Sequence, residues 1–260
     1  MDALILAAGF GERLRRLSPS KPLTPIAGIA LLDLAIRQAA ACGAQRVVVV
    51  TGHEADRVEA ALPQFARSAG VPVGARRLER WDLPNGHSVI AGASEIAGDY
   101  LLMMADHVFS RAILQLLAGE AGNGAGVTLA IDRRIAGPLI DPDDATWVET
   151  AADGAIVRIG KTIPHYDAVD CGAFLATPEL APAIAQAIDQ GRPGSLSDGM
   201  QLLADARRAS TVDIGRAWWI DVDDPRMHAL AEAQAPAALP EFYARPAAAP
   251  AAAAAQARAA

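Results

Sequence analysis

The chain holds 260 residues, 52% hydrophobic and 20% charged, with a formal net charge of −7 at pH 7. That balance describes a globular protein of one to two domains and excludes a disordered chain or one that coats a nucleic-acid backbone. Of its 23 Lys and Arg residues only Lys21 and Lys161 are lysine, so positive charge is written as arginine everywhere but at two places.

Met1-Asp2-Ala3-Leu4 sets an acid before the first apolar stretch and arginines after it. This reverses a secretory signal and predicts a cytoplasmic chain. Ala3 to Ala8 reads as a buried strand. Ile29 to Cys42 reads as a helix, with Leu31, Leu34 and Ala35 at helical spacing and Gly43 as its stop. Arg46 to Thr51 is a second strand, Glu54 to Ser68 a helix, Val71 to Arg77 a short strand and His87 to Ala97 a helix. Tyr100 to Met104 is then a strand delivering Ala105-Asp106-His107. The apolar stretch around it is broken by Asp106, His107 and Arg111, short of the ~18 residues a membrane span needs. Ser110 to Gly119 is helical and Gly126 to Ile131 a strand. Such alternation predicts parallel crossover units in a three-layer α/β domain.

Beyond Leu139 the pattern changes. Trp147 to Thr150, a turn at Asp153-Gly154, and Ile156 to Ile159 predict a hairpin, and Val169 to Ala176 a further strand. Thr177-Pro178-Glu179 carries the signature of a helix start, and Ser197 to Arg208 is another helical stretch. Val212 to Ile214 and Trp218 to Val222 are short strands, and Asp224-Pro225 opens a last helix to about Ala233. This half is expected to extend one mixed sheet. Residues 1–234 would form the domain, and residues 235–260, rich in alanine and proline, a disordered tail. Cys42 and Cys171 are too few for a disulfide framework or a structural zinc site.

The most informative segment is Leu6-Ala7-Ala8-Gly9-Phe10-Gly11-Glu12-Arg13, followed by Ser20-Lys21-Pro22-Leu23. A strand ending in small residues and two glycines lets backbone N–H groups approach an anion closely. Arg13, Arg15, Arg16 and Lys21 add positive charge to an otherwise acidic chain. The dinucleotide fingerprint fails because Leu14 stands at its third glycine, and the P-loop pattern is absent. Taken alone, the segment also fits a structural glycine turn. Asp106 past a buried strand, and Asp221 and Asp223 on one face of a late strand, offer the hard oxygens Mg²⁺ takes; solvated strand-end aspartates are the other reading.

The segment resembles the opening motif of the nucleotidyltransferases that join an NTP to a phosphomonoester. The resemblance implies a Rossmann-like sheet, Mg²⁺ as cofactor and release of pyrophosphate. It places Arg13 on the β,γ-phosphates and Lys21 over the α-phosphate. The nucleotide would be bound by Leu6, Ala7, Ala8, Gly9, Gly11, Glu12, Arg13 and Lys21, with Asp106 and either Asp223 or Asp221 as metal ligands. A compact ammonium at Lys21 can follow moving phosphate oxygens as a point charge, which a wide planar guanidinium does less well.

Asn85-Gly86-His87-Ser88, Ala105-Asp106-His107, Ile159-Gly160-Lys161, Asp170-Cys171-Gly172-Ala173-Phe174 and Ser195-Leu196-Ser197-Asp198-Gly199 resemble the CTP:inositol-1-phosphate cytidylyltransferases. This implies CTP and inositol 1-phosphate as substrates. Asn85, Gly86 and Ser88 would lie near the base or ribose, and Lys161, Asp170, Gly172 and Asp198 would meet the acceptor. A separate membrane CDP-alcohol transferase would use the product. Rival readings are a sugar-1-phosphate nucleotidyltransferase, a phosphocholine cytidylyltransferase with a cage from Trp81, Trp218 and Trp219, and a catalytically silent nucleotide-sugar sensor. The oligomeric state stays open, a homodimer being one arrangement.

Overall fold

The computed structural model describes residues 1–243. The chain opens with β1 (Asp2–Ala7), the short β2 (Pro25–Ile26) and β3 (Ile29–Ala30), then α1 (Leu31–Ala41), β4 (Val47–Thr51), α2 (Ala55–Ala69), β5 (Val73–Arg77) and α3 (Gly86–Ala93). It continues with β6 (Tyr100–Met104), β7 (His107–Phe109), α4 (Arg111–Gly119), β8 (Val127–Asp132), β9 (Trp147–Thr150), β10 (Ile156–Gly160) and β11 (Ala168–Ala176). Last come α5 (Leu180–Asp189), α6 (Leu196–Asp205), β12 (Ala209–Asp213), β13 (Trp219–Asp221), α7 (Pro225–Ala238) and α8 (Pro240–Tyr243).

One mixed sheet of nine strands organises the molecule, in the order β10-β9-β11-β6-β1-β4-β5, with β8 joined to β11 and β12 to β8. Strands β6, β1, β4 and β5 run parallel; β11 lies antiparallel to β6, β8 and β9. Side chains alternate across each strand, so both faces of β1 and β4 are apolar. Ala3, Ile5, Val47 and Val49 face α1, α2 and α4, whereas Leu4, Leu6, Val48 and Val50 face α3, α5 and α6. This is the three-layer Rossmann-like arrangement expected from the sequence.

A third apolar cluster sits off the sheet. It gathers Leu14, Ile26, Leu31, Val108, Ile220, Val222 and Met227. Leu14, the residue that spoils a dinucleotide fingerprint, is fully buried here. No helix starts beside the sheet at that point; the chain makes a single 3-10 turn at Glu12–Leu14. Burying a leucine contributes about 2 kcal/mol, enough to pin the glycine loop onto the late part of the chain.

The structure moves several expected boundaries. His107 belongs to a strand that pairs antiparallel with β13, setting Asp221 opposite His107. The helix expected from Thr177 begins at Leu180; the Thr177 hydroxyl donates to the Gly126 carbonyl and so belongs to the preceding turn. The helix expected to close near Ala233 runs on to Ala238 across Pro236, with Ala235 and Leu239 fully buried in the third cluster. Residues 235–238 and 240–243 are therefore helical, with Leu239 buried between them, because apolar contact outweighs the composition. The rest of the expected tail, 244–260, lies outside the described residues. Among the described residues no helix is long and apolar enough to cross a membrane.

Candidate active site

Two adjoining cavities open at the carboxyl ends of the parallel strands, and Arg13, Asp106 and Asp223 belong to the walls of both. Open α/β sheets bind ligands at this edge. The first cavity is lined by Leu6, Ala7, Gly9, Gly11, Glu12, Arg13 and Lys21. A side chain at Gly9 would meet nothing within 4 Å, so its backbone faces open space. Gly11 is different: it has φ +63, and a Cβ there would stand 2.4 Å from the Lys21 Cβ. The second glycine therefore supplies a left-handed turn and room for the lysine stem. Ala8 turns away, buried, its carbonyl accepting from the His53 N–H at 3.0 Å.

Lys21 begins a short 3-10 turn with Pro22, and its side chain is only 10% exposed. Its Nζ donates to Asp106 Oδ2 at 2.5 Å and also contacts Asp223 Oδ1. Arg13 Nη2 donates to Asp223 Oδ2 at 2.5 Å. Burial disfavours charge on Asp106, but the Lys21 ammonium and His107 override it and hold the carboxyl far below the usual range. The β7–β13 ribbon completes this corner. His107 Nδ1 donates to Asp106 Oδ1 at 2.9 Å and lies 3.7 Å from Asp221 Oδ1. Its ring stacks on Trp219, with 5.9 Å between centroids. Burial opposes protonation of His107, yet Asp221 and Asp106 raise its pKa to about 9. His107 thus lies between two site carboxylates, which favour its protonated form.

Asn85, Asp106, Asp144, Lys161, Asp170 and Asp221 are among the residues lining the second cavity, with Gly172. Gly172 has φ +75 in an irregular stretch of β11, and a Cβ there would fall 2.3 Å from the His107 ring. Its glycine is demanded by the histidine. Burial pushes Asp170 up to about 6, opposed by the Gly172 N–H and by His107. Asp141 and Asp144, not singled out from the sequence, reach Arg13 from the loop between β8 and β9, and Asp144 also reaches Lys161. The acidic run Asp141-Pro142-Asp143-Asp144 was the available signal. Nothing in its spacing pairs it with Arg13.

Three expected contacts fall elsewhere. Gly86 lies within α3, the space for its Cβ taken by the Gly194 carbonyl oxygen 2.3 Å away, and Ser88 is buried in the same helix. Neither lines these two cavities, because this helix packs tightly on the 194–195 turn. Asp198 closes a capping box on α6: its Oδ2 accepts from the Gly194 and Ser195 N–H groups at 3.0 and 2.8 Å. Asn85 does line the second cavity, with its Oδ1 accepting from the Leu196 N–H at 2.8 Å. The three tryptophans belong to three separate apolar clusters, so they form no common cage.

Asp106 and Asp223 oxygens converge on one ammonium, and carboxylate oxygens of Asp144, Asp221 and Asp223 lie within 4.8 Å of one another. Such a set of hard oxygen donors suits a divalent cation of the Mg²⁺ kind.

A glycine-floored pocket joined to an acidic one through shared carboxylates and a buried lysine belongs to the α/β enzymes that transfer a nucleotidyl group. Residues 3–209 match the MobA-like NTP transferase domain, and the chain belongs to that family. A bifunctional IPC transferase and DIPP synthase of Rubrobacter xylanophilus is 33% identical over 237 residues, 89% of this chain and 51% of that protein. Its counterpart in Aquifex aeolicus is 29% identical over 226 residues, covering 86% and 49%. The chain thus spans about half the length of these curated relatives. The solved inositol-1-phosphate CTP transferase from T. maritima shares the fold, with a TM-score of 0.78 at 22% identity over 88% of this chain and 94% of that one.

Proposed function

We propose that this protein is a cytidylyltransferase joining CTP to inositol 1-phosphate, giving CDP-inositol and pyrophosphate. One observation carries the proposal: Lys21 Nζ sits between Asp106 and Asp223, where the glycine-loop cavity meets a second cavity that has its own lysine, Lys161. The relatives named for inositol phosphate chemistry support the choice of acceptor.

Glycine-loop amides and Arg13 bind the β,γ-phosphates, and Lys161 orients the acceptor phosphate. One acceptor oxygen attacks the α-phosphorus in line, and the bond from that phosphorus to the oxygen bridging to the β-phosphate breaks. Pyrophosphate leaves with that electron pair. Lys21 follows the charge growing on the α-phosphoryl oxygens. Mg²⁺ held by Asp106 and Asp223 would neutralise phosphate charge there. Asp170, with its pKa raised to about 6, meets acceptor hydroxyls. The acceptor phosphate is already a competent anionic nucleophile, so no covalent enzyme intermediate is needed.

The test is pyrophosphate release by the purified protein with Mg²⁺, each NTP in turn, and inositol 1-phosphate, glucose 1-phosphate or phosphocholine. The expected signal comes from CTP with inositol 1-phosphate. Turnover of UTP or dTTP with glucose 1-phosphate alone would overturn the substrate assignment, and silence throughout would favour a nucleotide-sugar sensor.

A further inference from the structure

Asp144 Oδ2 accepts from Arg13 Nη2 and its Oδ1 from Lys161 Nζ, so one carboxylate bridges two cations from distant parts of the chain. Asp141, in the same loop, pairs with Arg13 at 3.5 Å but not with Lys161, its other oxygen accepting from the Asp143 N–H. If Arg13 meets the triphosphate and Lys161 the acceptor phosphate, Asp144 occupies donors that both substrates need. We propose that Asp144 is a positioning residue that couples the two phosphate subsites, being displaced from both cations by whichever substrate binds first. The coupling rests on the function proposed above.

Two features make displacement from one cation propagate to the other. The pairs are solvent-accessible, Arg13 being 45% and Lys161 60% exposed, so each is weak enough for a phosphate to break. Asp144 also stands in unfavourable company, its oxygens within 4.8 Å of those of Asp221 and Asp223. Arg13 screens that repulsion by pairing with Asp144 and Asp223 together. A triphosphate that takes Arg13 removes the screen and, even when it carries one Mg²⁺, adds net negative charge. Asp144 is then repelled from the cluster, and Lys161 is left free for the acceptor. The same sequence runs in reverse when the acceptor arrives first, as linkage requires.

Calorimetric titration with Mg²⁺ tests this, using a CTP analogue with methylene in place of the α,β-bridging oxygen, and inositol 1-phosphate. Each ligand is measured alone and with the other bound. In the wild type each should tighten the other about fivefold or more, the low end of measured couplings between sites. Asp144→Asn should bind each ligand more tightly alone and reduce the mutual factor to below about twofold. Asp141→Asn should strengthen only the analogue and keep the mutual factor. Asp144→Ser repeats the measurement should the asparagine variant fold poorly. An unchanged mutual factor in the Asp144 variants, or equal loss in Asp141→Asn, would overturn the coupling. Wild-type protein that binds neither ligand would instead overturn the proposed function, and the coupling with it.

Discussion

The two cavities that meet at Asp106 and Asp223 are built in opposite ways. The glycine-loop cavity comes mainly from residues 6–22, and its shape follows from local backbone: the end of β1, the left-handed Gly11 and the Lys21 stem packed against it. The second cavity is assembled from Asn85, the 139–146 loop, Lys161, β11 and β13, segments spread along most of the chain. Work concentrated in one short segment leaves little room for substitution. Work shared among distant segments makes single losses smaller and more specific.

The sharpest way to break this contrast is Lys21→Arg. A guanidinium is too wide for the place between Asp106 and Asp223, so turnover should fall about 100-fold or more while the protein stays folded. Near-normal turnover with an unchanged melting curve would refute a point-charge role. Lys161→Ala should be milder and one-sided, raising the KM for the acceptor about tenfold with that for CTP little changed. A defect confined to CTP would place Lys161 in the wrong cavity.

Two smaller effects probe the acidic side. Burial raises Asp170 to about 6, so the folded chain holds this proton more firmly than the unfolded chain does, where aspartate titrates near about 3.9. That contribution to stability is present at low pH and lost as pH rises from about 4 through 6. Asp170→Asn should therefore melt about 2–4 °C above wild type at pH 7.5, with the gain vanishing towards pH 4. Equal melting at both pH values would contradict a raised pKa. Asp198→Ala should cost about 1 kcal/mol of stability in denaturant unfolding and leave the acceptor KM unchanged, since its carboxylate caps α6. A raised acceptor KM would return Asp198 to the site.

Legibility followed the same division. The strands β1 and β4 were readable because apolar residues fill both faces, and the glycine loop because its residues are contiguous. Asp198 misled because a Ser-x-x-Asp capping box and a ligand-binding carboxylate look alike in one dimension. The meeting of His107 with Asp221 was not legible because it arises only through the pairing of β7 with β13.

By itself the sequence determined the layered α/β fold, the glycine loop that ends β1 and the singular place of Lys21. These rest on neighbours along the chain, whose spacing decides which face or turn they occupy. Only the tertiary structure decided that Asp223 shares Lys21 with Asp106 while Asp221 faces His107, and that Leu14 anchors the loop in a third apolar cluster. It also decided what the exceptional Lys161 touches, because charges interact across space and Asp144 reaches both Lys161 and Arg13 only after folding.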